Sequence, residues 1–152
     1  MKRIVDSIEL AKYIVCRMAQ KGESVNHLKL QKLLYYVQAW HIVYTEQPLF
    51  KDDFEAWLHG PVLRKVWNYY KTYSIMFDDL PCEEDYELDL TEEQCEIIDD
   101  VLDEYGEKTG YYLECLTHVE KPWQEARKKG ENTLILKEDM QEYYSKLIDV
   151  EK

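Results

Sequence analysis

The segment from Asn26 to Thr45 constrains the fold more than any other part of the chain. It runs twenty residues without a glycine or proline. Leu30, Leu33, Leu34, Val37, Trp40, His41 and Tyr44 recur at steps of three and four, the period of an α-helix with an apolar face. Asn26 is a good N-cap and Gln47-Pro48 a good stop. A helix this apolar must be covered by the rest of the chain, so it is expected to be the spine of the core.

Other helices read around it. Asp6 and Glu9 have capping-box spacing ahead of Ile8, Ala11, Ile14, Val15 and Met18, and Gly22 is a natural end. Phe54, Ala56 and Leu58 alternate with polar or boundary positions, which predicts a short extended segment within Phe50–Leu58. Gly60-Pro61 is expected to open a helix with Pro61 at its first position, where the missing N–H is harmless, and with Leu63, Val66, Trp67 and Tyr70 on its buried face. From Thr72 to Leu90 periodicity fails and an exposed loop is predicted. Thr91 with Gln94 starts a helix carrying Cys95, Ile98, Leu102 and Tyr105. Another is expected over Thr109–Thr117, another from Pro122 to Gly130, and a last one carrying Met140, Tyr143, Tyr144, Leu147 and Ile148. Thr133-Leu134-Ile135 reads as a second extended piece. The expected fold is mostly α: a single compact helical domain over residues 1–152, of about six helices, with two short extended segments able to pair as a small two-stranded β element.

Composition limits the classes of function. The 152 residues are 45% hydrophobic and 33% charged, which suits one globular core. No apolar run reaches the roughly 20 residues a membrane span needs, and Met1-Lys2-Arg3-Ile4-Val5-Asp6 does not read as a secretory signal, so a cytoplasmic protein is expected. Its four cysteines, Cys16, Cys82, Cys95 and Cys115, show no metal-finger or redox spacing and are expected to stay reduced, with Cys16, Cys95 and Cys115 as small buried hydrophobes.

The net charge of −12 is local: residues 72–107 hold 15 acids and no Lys or Arg, whereas elsewhere 16 acids face 19 bases. Such a field repels nucleic-acid phosphates and attracts basic protein surfaces. It is either a solvated face or a partner-facing one. Without a basic recognition helix, direct nucleic-acid binding is not expected.

The sequence offers little catalytic machinery. Its five glycines are not clustered into a phosphate loop. His27, His41, His59 and His118 lack zinc-ligand spacing; a site assembled in space from His59, His118 and a carboxylate is the one metal alternative. Cys115 and His118 share a helix face at i, i+3, but Glu114 and apolar neighbours do not favour a thiolate. The expectation is therefore a non-enzymatic chain without cofactor or metal, the less favoured alternative being an enzyme that uses His59, His118 and Cys115. The surplus is aromatic, with 13 tyrosines and four tryptophans, and Tyr35-Tyr36, Tyr69-Tyr70, Tyr111-Tyr112 and Tyr143-Tyr144 form adjacent pairs. Neighbours on a helix point about 100° apart, so both members are buried only on a wide apolar face; otherwise one is left to edge the core or meet a partner.

Three blocks in order carry a resemblance. Leu28-Lys29-Leu30-Gln31-Lys32-Leu33-Leu34-Tyr35-Tyr36 with Gln38-Ala39-Trp40 and Pro48-Leu49-Phe50, then Phe54-Glu55-Ala56-Trp57 with Gly60-Pro61-Val62, then Leu116-Thr117-His118 with Pro122-Trp123-Gln124-Glu125-Ala126-Arg127, resemble the Panacea domain family, which includes the SocA-like antitoxins and the phage-associated GepA proteins. The signature positions are Trp40, Trp57, Gly60, Pro61, His118, Pro122 and Trp123, which are expected to be scaffold. The resemblance implies an antitoxin that neutralises a cognate protein toxin by direct contact, on a phage or other mobile element. The alternative it implies is a regulator or proteolytic adaptor acting with a host protease or another host protein. The surface expected to meet a partner comprises His59, Tyr36, Asp78, Asp79, Glu83, Glu84 and Asp85, and a homo-oligomer is a further option.

Overall fold

The computed structural model describes residues 4–82 and 87–151. Among them are seven helices and one two-stranded ribbon, in the order α1 (Ser7–Gln20), α2 (His27–Thr45), β1 (Glu55–Trp57), β2 (Gly60–Val62), α3 (Arg64–Tyr70), α4 (Glu92–Tyr105), α5 (Gly110–His118), α6 (Lys121–Lys129) and α7 (Lys137–Glu151). The mostly helical class with a minor β element is thus observed.

The helix starts are set by side chains that satisfy backbone N–H groups otherwise left orphaned. Asp6 accepts from Ile8 and Glu9, Asn26 from Lys29, and Thr109 from Tyr112, while Thr91 and Gln94 cap α4 reciprocally. Helix α2 is the spine. It packs against α4, α7, α5 and β2, and every residue from His27 to Ala39 is buried. This is why both Tyr35 and Tyr36 lie inside, while in the other pairs the outer member is left at the edge or both are exposed, as Tyr111 and Tyr112 are.

Burying α2 on all sides also buries its polar residues, and they work as braces. Gln38 donates to Phe50 O and accepts from Leu49 N, both at 2.8 Å. Two turns earlier, Gln31 accepts from Leu63 N at 2.9 Å and donates to Leu63 O. Each amide stands in for a strand partner, pairing backbone groups that would otherwise be buried without one. His27 lies beneath Trp67, with ring centroids 4.9 Å apart; burial and the nearby Lys32 charge push it down to about 4, so it is a neutral core ring.

The expected helix at Gly60-Pro61 is corrected. Gly60–Val62 is a strand paired antiparallel to β1, with Ala56 opposite Pro61, and α3 begins only at Arg64. Proline is tolerated because Ala56 turns its own N–H and C=O the other way, toward Thr133 O and Asn132 N. Positions 56 and 61 are therefore a non-hydrogen-bonded pair, where an N–H is not needed. The 133–135 segment runs along the far side of β1, through a Glu55–Leu134 bridge and the Ile135 N bond to Phe54 O. The two expected extended segments do pair, through this bridge and its flanking bonds, and β2 joins β1 on the opposite edge as the named ribbon.

The cysteine expectation is also corrected. Cys16 on α1 and Cys82 form a disulfide with Cα atoms 4.8 Å apart across 66 residues of sequence. Cys95 is half-buried and Cys115 exposed rather than core. Linear spacing carries no signal for a pair so distant. The loop after α3 is likewise less free than its composition implies: Leu80 is buried and its N–H donates to Val25 O, Ile75 O accepts from Leu28 N, and Asn26 bridges Asp79.

Candidate functional site

Two turns far apart in sequence meet beside the N-terminal half of α2. Trp123, in the first turn of α6, donates its indole N–H to Trp57 O at 2.8 Å, and Arg127 donates to Ala56 O at 3.0 Å. Trp123 lies flat on His118, ring centroids 4.0 Å apart. The Trp57 indole donates to the Glu55 carboxylate, which also takes a two-pronged pair from Arg64. Trp57, Gly60, Pro61, His118, Pro122 and Trp123 thus form one neighbourhood of hairpin and α5–α6 junction. Trp40 lies elsewhere, stacked beside Tyr44 and donating to the Tyr105 hydroxyl at 2.9 Å.

Beneath the hairpin lies Lys32, 1% exposed, donating to Pro61 O at 3.2 Å. Gly60 roofs it with φ +104, and a Cβ there would come within 2.5 Å of Lys32 Cε and 3.1 Å of Thr117 Oγ1. Only glycine fits that turn without strain. Burial pushes the Lys32 ammonium down to about 7, with the Glu114 charge pulling the other way. Burial also lowers His118, against Glu114 and a bond with the Leu58 backbone that raise it, and its Nε2 is buried without a partner among the described residues.

The outer surface of this neighbourhood sets exposed apolar side chains around an ion-pair contact. His59 Nδ1 lies 3.1 Å from a Glu114 carboxylate oxygen, which ties the hairpin tip to α5. Leu58 is 62% exposed beside it, and Tyr111 (66%) and Val119 (69%) stand out from the same helix and its cap. Tyr111, Glu114, Cys115 and His118 fall at i, i+3, i+4 and i+7, so they share a face of α5. The exposed Cys115 lies one turn after Tyr111 on that face.

The acidic loop reaches the same end of α2, because Gly110 of α5 lies against Leu28 and Lys29 while Leu28 N holds Ile75 O. Asp78 Oδ2 accepts from Ser74 N at 2.6 Å and Ser74 Oγ accepts from Phe77 N, a locked turn that leaves Phe77 88% exposed beside the exposed Asp78 and Asp79. Glu83, Glu84 and Asp85 lie outside the described residues. Tyr36 is corrected as a partner-facing residue: it is fully buried, stacked on Tyr105 at 4.1 Å, with its hydroxyl on Glu120 at 2.7 Å.

Glu120 is a core residue that sequence reasoning misses. It is buried, accepts from Tyr36 and Tyr144 (2.6 Å), and Tyr144 also bonds Tyr35. Burial raises its carboxyl, and the two tyrosine bonds counter only in part. Lys32 and Gln31 escape sequence reasoning in the same way; the one signal for them is their position inside a run with apolar residues on every side. Among the described residues, no group of three or more His, Cys, Asp or Glu is placed to hold a metal ion, and no helix is long and apolar enough to cross a membrane.

No curated protein and no solved structure matches the chain. The family model of the antitoxin SocA-like, Panacea domain matches residues 30–124, more than half of the sequence. That span takes in most of α2, the hairpin, α3, the acidic loop, α4, α5 and the start of α6, the elements that build the neighbourhood described above. The chain belongs to the antitoxin SocA-like, Panacea domain family.

Proposed function

We propose that this protein neutralises a cognate protein toxin by direct contact, through the face formed by the hairpin tip, α5 and the locked acidic loop, and that it does so in the cytoplasm without catalysing a reaction. The observation that carries the reading is the exposure of Leu58, Tyr111, Val119 and Phe77 on backbone that is otherwise braced and bonded. Large side chains held in fixed positions lose little freedom on association, which is how aromatic anchors act at protein interfaces. Asp78 and Asp79 beside Phe77 suit a basic toxin surface and would speed encounter at low salt. His118 fits scaffold better than chemistry, since its ring is stacked on Trp123.

The test starts from the protein captured on this chain in its native host. Expressed alone, that protein should arrest growth, and co-expression of this chain should restore it. The variant Leu58→Asp/Tyr111→Asp/Phe77→Asp should fold, by circular dichroism and cooperative melting, yet fail to rescue. A captured protein that does not arrest growth, or full rescue by the folded triple variant, would overturn the proposal.

A further inference from the structure

A concavity lies toward the C-terminal end of α2, between α2, α4 and α7. It is a cleft of about 350 Å³, with Ile97, Val101 and Leu147 among its apolar lining and Trp40, Tyr44 and Tyr105 as aromatic walls. Trp40 and Tyr44 stack with centroids 5.9 Å apart, Trp40 is fixed by its bond to the Tyr105 hydroxyl, and Tyr44 is 57% exposed. Asp100 and Glu104, four apart on α4, line the cleft, are exposed, and make no ion pair with the described residues. Two acids on the neighbouring face of α4 are instead neutralised within the chain, Asp99 by Arg17 and Asp103 by Lys21.

We propose that this cleft seats an arginine side chain from a partner protein, carried among apolar residues. A planar guanidinium stacks on Trp and Tyr faces while its N–H fork meets carboxylates, and the cleft offers both, with apolar ground for the flanking side chains. Charge argues against a second copy as occupant, because each copy carries a net −12 and would bring mostly acid toward acid. The inference rests on the binding-protein reading for the source of the arginine, and extends the contact surface to Trp40, which the hairpin neighbourhood does not use.

The experiment titrates n-butylguanidinium into the full-length protein at 50 mM salt and follows the Trp40 indole N–H and the Tyr44 ring by NMR. Saturable shifts at both are expected, with affinity at least fivefold weaker in Asp100→Asn/Glu104→Gln and in Tyr44→Ser, and unchanged in Asp78→Asn/Asp79→Asn. The neutral analogue n-butylurea should not saturate. Equal affinity for the urea, unchanged affinity in Asp100→Asn/Glu104→Gln, or no saturable shift would overturn the proposal. Shifts of Trp40 on dilution of the protein alone would overturn it in favour of self-association. None of these results touches growth rescue through the hairpin face, so the two readings fail separately.

Discussion

Replacing Lys32 by Met tests the most unusual energetic feature of the fold. Lys32 is sealed beneath Gly60 and Thr117 with Pro61 O as its acceptor, and burial lowers it from 10.5 to about 7. Displacing an ionisation by one pH unit corresponds to about 1.36 kcal/mol, so holding the charged form there costs about 5 kcal/mol. Met matches the length of the side chain and removes that cost. It also strips the buried Pro61 carbonyl of its donor, a loss of about 1–3 kcal/mol. At pH 7 the variant should therefore be the more stable protein by about 1–3 kcal/mol.

The sign of the pH dependence separates this from a simple packing effect. Between 7 and 10.5 the unfolded chain keeps a proton on Lys32 that the folded protein releases, so wild-type stability rises with pH relative to the variant. From pH 7.5 to 9.5 the wild type should gain about 2.5 kcal/mol on Lys32→Met, enough to erase most or all of the variant's advantage. Urea denaturation at the two pH values, with matched m-values, reads this directly, and titrations common to both proteins cancel. A wild-type-minus-variant difference that stays constant within about 0.5 kcal/mol across that range would refute the reasoning, since an ammonium lowered by only about two pH units would already change it by more than that.

Gln38→Ala should destabilise by about 2–5 kcal/mol, because it orphans both Leu49 N and Phe50 O, and a chemical melt within about 0.5 kcal/mol of wild type would show that water replaces the amide. Glu120→Gln keeps an acceptor for Tyr36 and Tyr144 and needs no buried charge, so at pH 7 it should match or exceed wild type, whereas Glu120→Ala should lose about 2–4 kcal/mol. The raised Glu120 carboxyl makes its contribution largest in acid and smaller as pH climbs above the ordinary value of 4.5, so the Glu120→Gln advantage should shrink toward pH 4.5 in paired denaturation curves. Reduction of Cys16–Cys82, which closes 66 residues, should lower stability by up to about 4 kcal/mol, measured with and without reductant alongside a thiol count; equal stability with four free thiols would show that the disulfide contributes nothing to the fold.

The parts of this fold legible in sequence are those where one residue's chemistry acts locally. Asp6, Asn26, Thr91 and Thr109 cap within three residues of themselves, and the spacing of Leu30, Leu33, Leu34 and Val37 states a helix whatever surrounds it. What stays hidden depends on segments that meet only after folding. Gln31, Lys32 and Gln38 look like ordinary surface polar residues because their partners Leu63, Pro61, Leu49 and Phe50 lie elsewhere in the chain, and Pro61 reads as a helix start because nothing local says that Ala56 will face Thr133. The same distinction explains the site. Trp57 and Trp123 are visible as large residues beside turns, but the bond between them spans 66 residues, and the His59–Glu114 contact that joins the hairpin tip to α5 spans 55. The buried polar residues of α2 therefore tie the core to the proposed contact face: they hold Leu63 and Pro61 at the base of the hairpin whose tip meets α5. A partner that binds that tip reads out a geometry written in the core, so Gln31→Ala should weaken partner binding as well as stability, although Gln31 is itself buried and touches no surface.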